Sequence, residues 1–474
     1  MRLLGHNPHK DPAEIYHKHL QGPSPSNPGE KHILPTTYQD GRLVTKGISS
    51  EGESGRAGFH FKHFLQITVW SGNIFSAWLN IFWLFVPAAI ALHWAAKDAH
   101  VAIFAVNYVA MIGPANTLGF AGQEFAKKLP RVFGILAETT LGSVVEIVLF
   151  VTLVVKALTS PTYVSVLQAA ILGSIMTNLL LCLGCCFVVG HLKNRNENAQ
   201  RFSPVISETG SGIMLVAGFA LMIPSAFYAT LVSRTNSNTD ARSSSYTSDM
   251  LQHDVLGISH GTSIILIVAF IIYMVYSAFS AHTIFDAALG ADQEKDRDKD
   301  RDQLRKKYTM LEAVIVIVIC IALVAIIAVF LVEQIHYIVE YRHVPDAFLG
   351  FILVPLVEKL AEHVAAIDEA YDNQMNFALY HCIGPSIQTA LFNAPLVVII
   401  GWILGVNMDL NFEIFMIAIL ILSILVVSSF LRDGESTYLE GSLLIVVYAI
   451  IALTTWYYPN PTEATSKNGT QSGA

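Results

Sequence analysis

Four ionisable residues that could bind or exchange ions lie within one apolar stretch of the chain. Glu358, Lys359, Glu362 and His363 occur in residues 354–402, whose remaining residues are mostly apolar. A charged side chain at membrane depth costs several kcal/mol unless it faces the protein interior or a wet cavity. The stretch therefore indicates one half of an ion-binding site.

Helical spacing places these charges close together. Glu358 and Glu362 are four residues apart and Lys359 and Glu362 are three apart, so all three side chains can share one face of a helix. Lys359 could instead only neutralise a structural carboxylate at a helix end, but three charges within five residues exceed what one structural pair requires. His363 is a candidate proton relay, with packing against a neighbouring polar group as an equal alternative.

The composition is that of a polytopic membrane protein. Hydrophobic residues make up 53% of the 474 residues and charged residues 14%, against about 25% charged in an ordinary soluble domain. The lipid bilayer is therefore an expected partner. The net charge of −8 and the dispersed basic residues argue against nucleic acid as a partner.

The five cysteines predict no disulfide framework, because all lie in apolar segments. Cys182 and Cys185/Cys186 have a spacing found at metal sites, but no second pair or histidine cluster follows. We interpret them as structural lining of a helix. The N-terminus has no adequate apolar region for a cleaved signal peptide, so a later helix is expected to direct insertion.

Apolar windows predict an all-α membrane protein with about eleven transmembrane helices, each long enough to cross a hydrocarbon core of roughly 30 Å. The predicted spans cover about 75–95, 101–121, 132–157, 164–190, 210–232, 257–282, 311–334, 346–370, 376–404, 411–431 and 439–457. The predicted organisation is a disordered cytoplasmic tail (1–65), a first transmembrane helix (66–98), a first five-helix repeat (99–285), a charged cytoplasmic linker (286–310), a second five-helix repeat (311–458) and a C-terminal tail (459–474).

Basic residues in the short loops predict the orientation in the membrane. Lys and Arg cluster after the second, fourth and sixth spans, so these loops, the linker 295–307 and the N-terminal tail should be cytoplasmic. The loop of residues 233–250 and the C-terminal tail should then face the lumen or exterior. The glycosylation sequon at Asn468 lies on that predicted side.

The two predicted repeats share one design. The first carries Glu138, Gly142, Ser143 and Glu146 in AETTLGSVVEI, and the next span carries LQAAILGSIMTN. The second carries EKLAEH, followed by CIGPSIQTALFNAP. Because five spans is an odd number, the two copies must have opposite orientations in the membrane. This inverted-repeat plan is that of secondary transporters, whose ion sites lie at the repeat interface.

Several segments together resemble a known family over residues 70 to 458. They are LGFAGQEFAKKL, VLQAAILGSIMTNLLLCLG, GTSIILI, IDEAYDNQMNFAL, IGPSIQTALF, NAPLVVIIGW and RDGESTYLEGSLLIVVYAIIAL. In order and spacing they are similar to the cation/proton exchanger branch of the calcium/cation antiporter superfamily, of the vacuolar calcium/proton exchanger type.

The resemblance implies a set of ion ligands. In that family each repeat carries a Gly-Asn-Ala-x-Glu core whose oxygens hold Ca²⁺. Glu146 and Glu362 match the two glutamates and are the implied metal ligands. Gly142 matches the first-repeat glycine, and Gln388 matches the second-repeat glutamine, with Ser386 nearby.

The departures from the family pattern fall within the same core. Ser143 stands where the first asparagine is expected, Lys359 where the second is, and Glu358 replaces the second glycine. Pro385 stands where a serine would follow Gly384. Fewer oxygen ligands and a competing ammonium suit Ca²⁺ poorly, because it prefers six to eight oxygens. The formal charge of Glu146, Glu358, Lys359 and Glu362 together is still that of two glutamates.

The expected function is antiport rather than catalysis. A cytoplasmic cation, either Ca²⁺, another metal or a monovalent ion, would enter an acidic compartment in exchange for protons, with altered selectivity and no cofactor. By resemblance the membrane is that of the vacuole or a similar acidic compartment. Glu138 could line the proton path, with an interfacial cap as the equal alternative. The oligomeric state is not predicted.

Two other classes of function compete with antiport. One is a transport-inactive relative that acts as a sensor or scaffold, with Lys359 occupying the cation position. The other is an intramembrane metallohydrolase that would use Glu362, His363, Asp368 and His381, but this spacing has no HExxH pair.

Overall fold

A computed structural model describes residues 36–39, 42–45, 58–70, 74–129, 131–194, 199–237, 247–280, 292 and 307–459. Most of the predicted N-terminal tail, most of the charged linker, much of the loop of residues 233–250 and Asn468 lie outside the described residues. The described part is almost entirely helical, as the apolar windows predict.

The first half of the chain is a succession of helices that begins near residue 61. They are α1 (Phe61–Val69), α2 (Ile74–Leu79), a 3₁₀ turn (Asn80–Leu84), α3 (Phe85–Ala95), α4 (His100–Ala126), α5 (Arg131–Gly142), α6 (Val144–Ala157), α7 (Thr162–Met176), a π-helical segment (Thr177–Cys182), α8 (Leu183–Lys193), α9 (Pro204–Ser237) and α10 (Ser248–Ser280).

The second half follows the charged linker. Its helices are α11 (Met310–Arg342), α12 (Asp346–Phe348), a π-helical segment (Leu349–Leu353), α13 (Val354–Tyr371), α14 (Met375–Gln388), a π-helical segment (Thr389–Asn393), α15 (Ala394–Leu404), α16 (Ile414–Phe430) and α17 (Tyr438–Trp456). A capping box of Thr309 and Glu312 begins α11, and one of Thr437 and Glu440 begins α17.

The helices confirm an all-α polytopic membrane protein. Among the described residues, eight helices are long and apolar enough to cross a membrane, and a bent pair, α5 with α6, gives a ninth. The shorter α16 and the charged α13 fall outside this set. The predicted total of about eleven spans therefore stays a prediction.

Two short strands lie where the sequence predicts a disordered tail. Strand β1 (Thr36–Gln39) pairs antiparallel with β2 (Arg42–Thr45). The intervening Asp40-Gly41 is a strong sequence signal for a two-residue hairpin, which the composition of the segment does not reveal. Helix α1 also begins before the predicted end of the tail at residue 65.

A second strand pair joins the two halves of the molecule. Strand β3 (Gln200–Arg201) pairs antiparallel with β4 (Glu435–Ser436), and Arg201 Nε lies 3.0 Å from Glu435 Oε1. The pair connects the loop after α8 to the loop after α16. Both loops are on the side that the basic residues predict to be cytoplasmic.

The two halves cross with their backbones in direct contact. Helix α7 packs against the π-helical segment Leu349–Leu353. A Cβ atom on Gly173 would overlap the carbonyl oxygen of Phe351, and one on Gly350 would overlap that of Val166. These two glycines therefore permit an approach that a side chain at either position would prevent.

Two of the π-helical segments begin at matching positions in the two halves. Thr177 follows Ser174-Ile175-Met176, and Thr389 follows Ser386-Ile387-Gln388. Each threonine is the first residue of a π-helical segment. Such segments interrupt an α-helix by one widened turn and often occur at functional sites. Both segments lie next to the charged residues singled out from the sequence.

Candidate ion-binding site

A break between α5 and α6 positions Glu146. The two helices meet at Ser143 with a bend of 49°, and Ser143 has φ −93° and ψ 2°, outside the regular helical region. Glu146 lies in the first turn of α6 and is 1% exposed. The positive end of the helix dipole favours a carboxylate at this position.

Lys359 lies between the two predicted glutamates. Its Nζ atom is 2.8 Å from Glu146 Oε2 and 3.3 Å from Glu362 Oε2. Helix α13 runs without a break through Lys359 and Glu362, so their contact is the three-residue spacing predicted from the sequence. The shorter contact, however, is with Glu146 of the other half.

Glu146 has two neutral donors as well, and sequence reasoning missed both. Thr389 Oγ1 donates to Glu146 Oε1 at 2.7 Å, and Asn393 Nδ2 donates to Oε2 at 3.0 Å. Both donors belong to the π-helical segment after α14. The sequence shows Thr389 and Asn393 as polar residues within an apolar helix. The direction in which their side chains point depends on the π-helical turn, which the sequence does not show. Glu146 is thus held by one cation and two hydrogen bonds.

Glu362 is held far more loosely. Its side chain is 22% exposed, whereas those of Lys359 and Glu146 are 1% exposed. Lys359 is the single hydrogen-bond donor found for it among the described residues. Gly142 lies beside it, because a Cβ there would be 4.0 Å from Glu362 Oε1. Because glycine has no side chain, Gly142 leaves room around the Glu362 carboxylate.

The remaining predicted ligands divide into those at the site and those used elsewhere. Gln388 Nε2 donates to Ser143 Oγ at 2.6 Å, so these two predicted residues join the halves beside Glu146. Ser386 Oγ donates to the carbonyl of Cys382 in its own helix at 2.9 Å. Its hydroxyl hydrogen is therefore used within α14.

Glu358 is buried without a counter-ion contact. It is 3% exposed, and neither carboxyl oxygen has a hydrogen-bond partner among the described residues. The buried hydroxyl of Ser174, on α7, lies beside this carboxyl group. Burial of a carboxylate in its charged form is costly, so Glu358 stands apart from the ion pair of Glu146 and Lys359.

The two candidate proton relays differ in burial. His363 is 5% exposed, and its Nε2 atom lies 2.9 Å from Asn178 Oδ1. Asn178 belongs to the π-helical segment that begins at Thr177, so this contact again joins the halves. Glu138 is exposed on α5. Of the two, His363 is the one within the buried core.

The residues of the competing metallohydrolase hypothesis do not form a metal site. His363 contacts Asn178, and His381 Nδ1 lies 2.7 Å from Glu369 Oε2. The group of possible metal ligands found in the described part of the chain consists of three cysteines and includes none of these residues. The geometry therefore favours ion binding at the carboxylates.

Carboxylates from two halves that meet in the interior of a helical membrane protein define an ion transporter rather than an enzyme. The family model described as sodium/calcium exchanger protein matches residues 99–279 and 312–457. The chain belongs to this family of membrane transporters. The two matched regions lie on either side of the charged linker.

Relatives and a solved structure agree with this assignment. A protein of Schizosaccharomyces pombe named vacuolar calcium ion transporter is 29% identical over 387 residues, covering 81% of this chain and 86% of that protein. Vacuolar cation/proton exchanger 5 of Arabidopsis thaliana is 31% identical over 391 residues, covering 82% and 83%. The structure of native YfkE has a TM-score of 0.61 at 25% identity and covers 80% of this chain and 100% of that one. The chain is a multi-pass protein of the vacuolar membrane type.

Proposed function

We propose that this protein is a secondary active antiporter that moves a cytoplasmic cation into the vacuole in exchange for protons. Relatives named cation/proton exchangers support the reaction class. The observation that carries the proposal is the unequal burial of the two carboxylates at the junction of the halves, since the side chain of Glu146 is 1% exposed and that of Glu362 is 22% exposed. This arrangement also indicates which carboxylate exchanges its ligand.

Glu362 is the exchanging carboxylate in this proposal. Glu146 is fully buried, paired at 2.8 Å and hydrogen-bonded to Thr389 and Asn393, so removing its partners would leave a buried charge uncompensated. Glu362 is partly exposed, and within the described part of the chain its ion-pair partner is Lys359 at 3.3 Å. A proton or a cation can therefore bind Glu362 without dismantling the pair between Glu146 and Lys359.

The charge of the site favours a monovalent cation. Lys359 offsets the charge of Glu146, and Glu358, buried without a counter-ion contact, is neutral in this proposal because a buried unpaired charge is costly. Glu362 is then the carboxylate whose charge a transported cation would balance. Ca²⁺ would need six to eight oxygen ligands and would have to approach within reach of the Lys359 ammonium. Na⁺ or K⁺ requires less charge and fewer carboxylates. In this proposal, the Lys359 side chain is the reason that the site prefers a monovalent cation to Ca²⁺.

Competition at Glu362 couples the two ions. A proton and a cation cannot occupy the same carboxylate oxygens together, so binding of one requires release of the other. Exchange becomes directional when the two bound forms favour different access states of the protein. An acidic lumen supplies the protons that displace the cation on that side. His363, hydrogen-bonded to Asn178, is the candidate proton relay of this proposal.

Sealed vesicles that contain the purified protein test this proposal. A pH gradient should drive uptake of K⁺ or Na⁺ more strongly than uptake of Ca²⁺ or Mn²⁺, each measured alone and in competition. Glu362→Gln keeps the shape and removes the titrating charge, so it should abolish uptake in a folded protein. The matched control is Glu208→Gln, which alters an exposed carboxylate on α9 and should retain uptake. Parental uptake by Glu362→Gln would refute the assignment of Glu362.

A second candidate function is a transport-inactive sensor or scaffold. The observation that favours it is the position of the Lys359 ammonium between the two glutamates, where it acts as a built-in cation. A protein of this kind would give no proton-coupled uptake of any of the four cations, although it folds and inserts. Uptake of any of them decides for the antiporter.

A further inference from the structure

Three cysteine side chains from the two halves of the molecule meet in the protein interior. The Sγ atoms of Cys182, Cys186 and Cys382 all lie within 4.8 Å of one another, and those of Cys182 and Cys382 are 3.5 Å apart. Each residue is at most 1% exposed, and all are free thiols. The sequence predicts only structural lining at Cys182 and Cys186, because Cys382 is 200 residues away.

Helix geometry explains how the cluster forms. Cys182 ends the π-helical segment that begins at Thr177, and Cys186 lies four residues later in α8, on the same face. Cys185, the residue before Cys186, is more exposed than Cys182 and Cys186 and does not belong to the cluster. Helix α14 packs against α8 and supplies Cys382. The cluster therefore exists only where the two halves are packed together.

Cys186 and Cys382 lie at similar distances from the nearest ends of their helices. Cys186 is followed by a turn and a half to two turns of α8, which ends at Lys193, and Cys382 is a similar distance from Met375, where α14 begins. At 1.5 Å per residue, both sulfurs are about 10 Å from these ends. The ends belong to loops predicted to be cytoplasmic, where thiols stay reduced.

We propose that Cys182, Cys186 and Cys382 form a binding site for a monovalent thiophilic cation, Cu⁺, distinct from the carboxylate site. Soft sulfur ligands select Cu⁺, zinc and iron–sulfur clusters. Structural zinc is almost always bound by four ligands, but no fourth histidine, cysteine or carboxylate joins this group in the described part of the chain. Three sulfurs are sufficient for Cu⁺.

Charge balance also suits a monovalent ion. When Cu⁺ binds, one thiol releases its proton to water and becomes the thiolate ligand, and the other two sulfurs complete the coordination as weaker thiol ligands. The buried complex is then neutral, which lowers the cost of burying the ion, and no electron is transferred. Because the ligands come from α8 with its preceding turn and from α14, the bound ion links the two halves.

Cu⁺ binding can be measured on the full-length protein purified in detergent without oxygen. Titration against a chromophoric Cu⁺ chelator, with ascorbate present, should show one ion bound per chain. X-ray absorption of the parent protein should show a shell of sulfur ligands. The bound ion should also raise the thermal unfolding midpoint of the parent, as expected for a ligand of the folded state.

Serine variants locate the site. Cys182→Ser, Cys186→Ser and Cys382→Ser should each weaken binding by more than the roughly 10- to 100-fold that loss of an outer contact costs. The matched control is Cys320→Ser, which alters a buried cysteine in α11, outside the cluster, and should bind like the parent.

Three results would overturn the proposal. They are no Cu⁺ binding by the parent, a ligand shell of nitrogen or oxygen, and binding that none of the three cluster variants weakens. The parent measurements decide even where a variant fails to fold. Copper treatment that leaves a disulfide between Cys182 and Cys382, with no bound metal, would identify a redox-sensitive pair instead.

Discussion

The helix that carries Glu146 bends by 49° at Ser143, whereas the helix that carries Lys359 and Glu362 runs unbroken from Val354 to Tyr371. In the first half, Gly142 and Ser143 interrupt the helix and expose a new N-terminus beside Glu146. In the second half, Glu358 and Lys359 replace the small and amide residues expected from the family resemblance, and both are good helix formers. The helix therefore continues, and a side-chain cation takes the place of a helix end.

This difference leaves the two carboxylates unequally supported. Glu146 has a helix N-terminus, an ammonium and two neutral donors, while Glu362 shares the ammonium at a longer distance. If Glu146 and Glu362 had equal numbers of donors, either carboxylate could exchange its bound ion. Under the proposed antiport, the unequal support gives Glu146 a structural role and Glu362 the exchange role.

The largest effect is expected when the shared cation is removed. Lys359→Met leaves Glu146 buried without its counter-ion, and breaking a buried ion pair costs about 3–5 kcal/mol. Thermal or denaturant unfolding in detergent measures the loss. The control, Lys156→Met, breaks the pair with Glu333, whose side chains are 28% and 33% exposed, and should cost at most about 1 kcal/mol. Equal losses in the two variants would show that burial does not make the pair of Glu146 and Lys359 more important for stability than the pair of Lys156 and Glu333.

A smaller effect is expected from one neutral donor. Thr389→Val removes the 2.7 Å hydrogen bond to Glu146 and should destabilise the protein by about 1.5–3 kcal/mol, the range for hydrogen bonds to charged groups. Thr177→Val is the matched control at the equivalent position. Its hydroxyl donates to Gly173 in its own helix and contacts the Tyr448 hydroxyl, so its loss should be smaller. The reverse order of stability would show that Glu146 does not depend on Thr389.

Restoring the family pattern should make the two halves alike. The triple variant Ser143→Asn, Glu358→Gly and Lys359→Asn removes the ammonium and adds amide oxygens, so proton-driven Ca²⁺ uptake should rise at least about tenfold, equivalent to 1.4 kcal/mol. Lys359→Asn alone should do less, because Glu358 remains buried without a partner. Vesicle uptake at matched expression measures both. Equal Ca²⁺ uptake by the parent and the triple variant would return Lys359 to a purely structural role.

The smallest effect concerns Asp409, which lies in the loop between α15 and α16 and contacts Gln168 of α7 in the other half. Burial raises the pKa of Asp409 to about 6, although its hydrogen bond from Gln168 Nε2 at 2.8 Å acts in the opposite direction. The folded protein thus holds this proton more tightly than the unfolded chain, and stability falls as the pH rises through about 6. Asp409→Asn should remove about 1 kcal/mol of this pH dependence. Asp433→Asn, at an exposed loop position, should leave the dependence unchanged in the same unfolding series.

The helical membrane fold and the contact between Lys359 and Glu362 could be predicted from the sequence. Apolar windows predict the helices because a membrane span must satisfy its own backbone. Three- and four-residue spacing predicts that Lys359 reaches Glu362, since both lie on one helix. These inferences succeed because they depend on local geometry alone.

The partners of these residues could not be predicted in the same way. Thr389 and Asn393 reach Glu146 from a π-helical turn, which shifts the direction of every side chain after it. Cys382 meets Cys182 only because two helices far apart in sequence pack together. Ser386 looks like a ligand in the motif, but its hydroxyl bonds its own helix. These contacts depend on packing between distant helices and on irregular helical turns, so they cannot be predicted from the spacing of residues in the sequence.

The reciprocal glycine contact between α7 and the Leu349–Leu353 segment limits how the transporter can move. With backbone against backbone at Gly173 and Gly350, sliding one half past the other would drive a neighbouring side chain into a carbonyl group. Rotation about the crossing point avoids that collision. The crossing therefore acts as a pivot, and the outer ends of the helices should travel further than the residues beside it during each transport cycle.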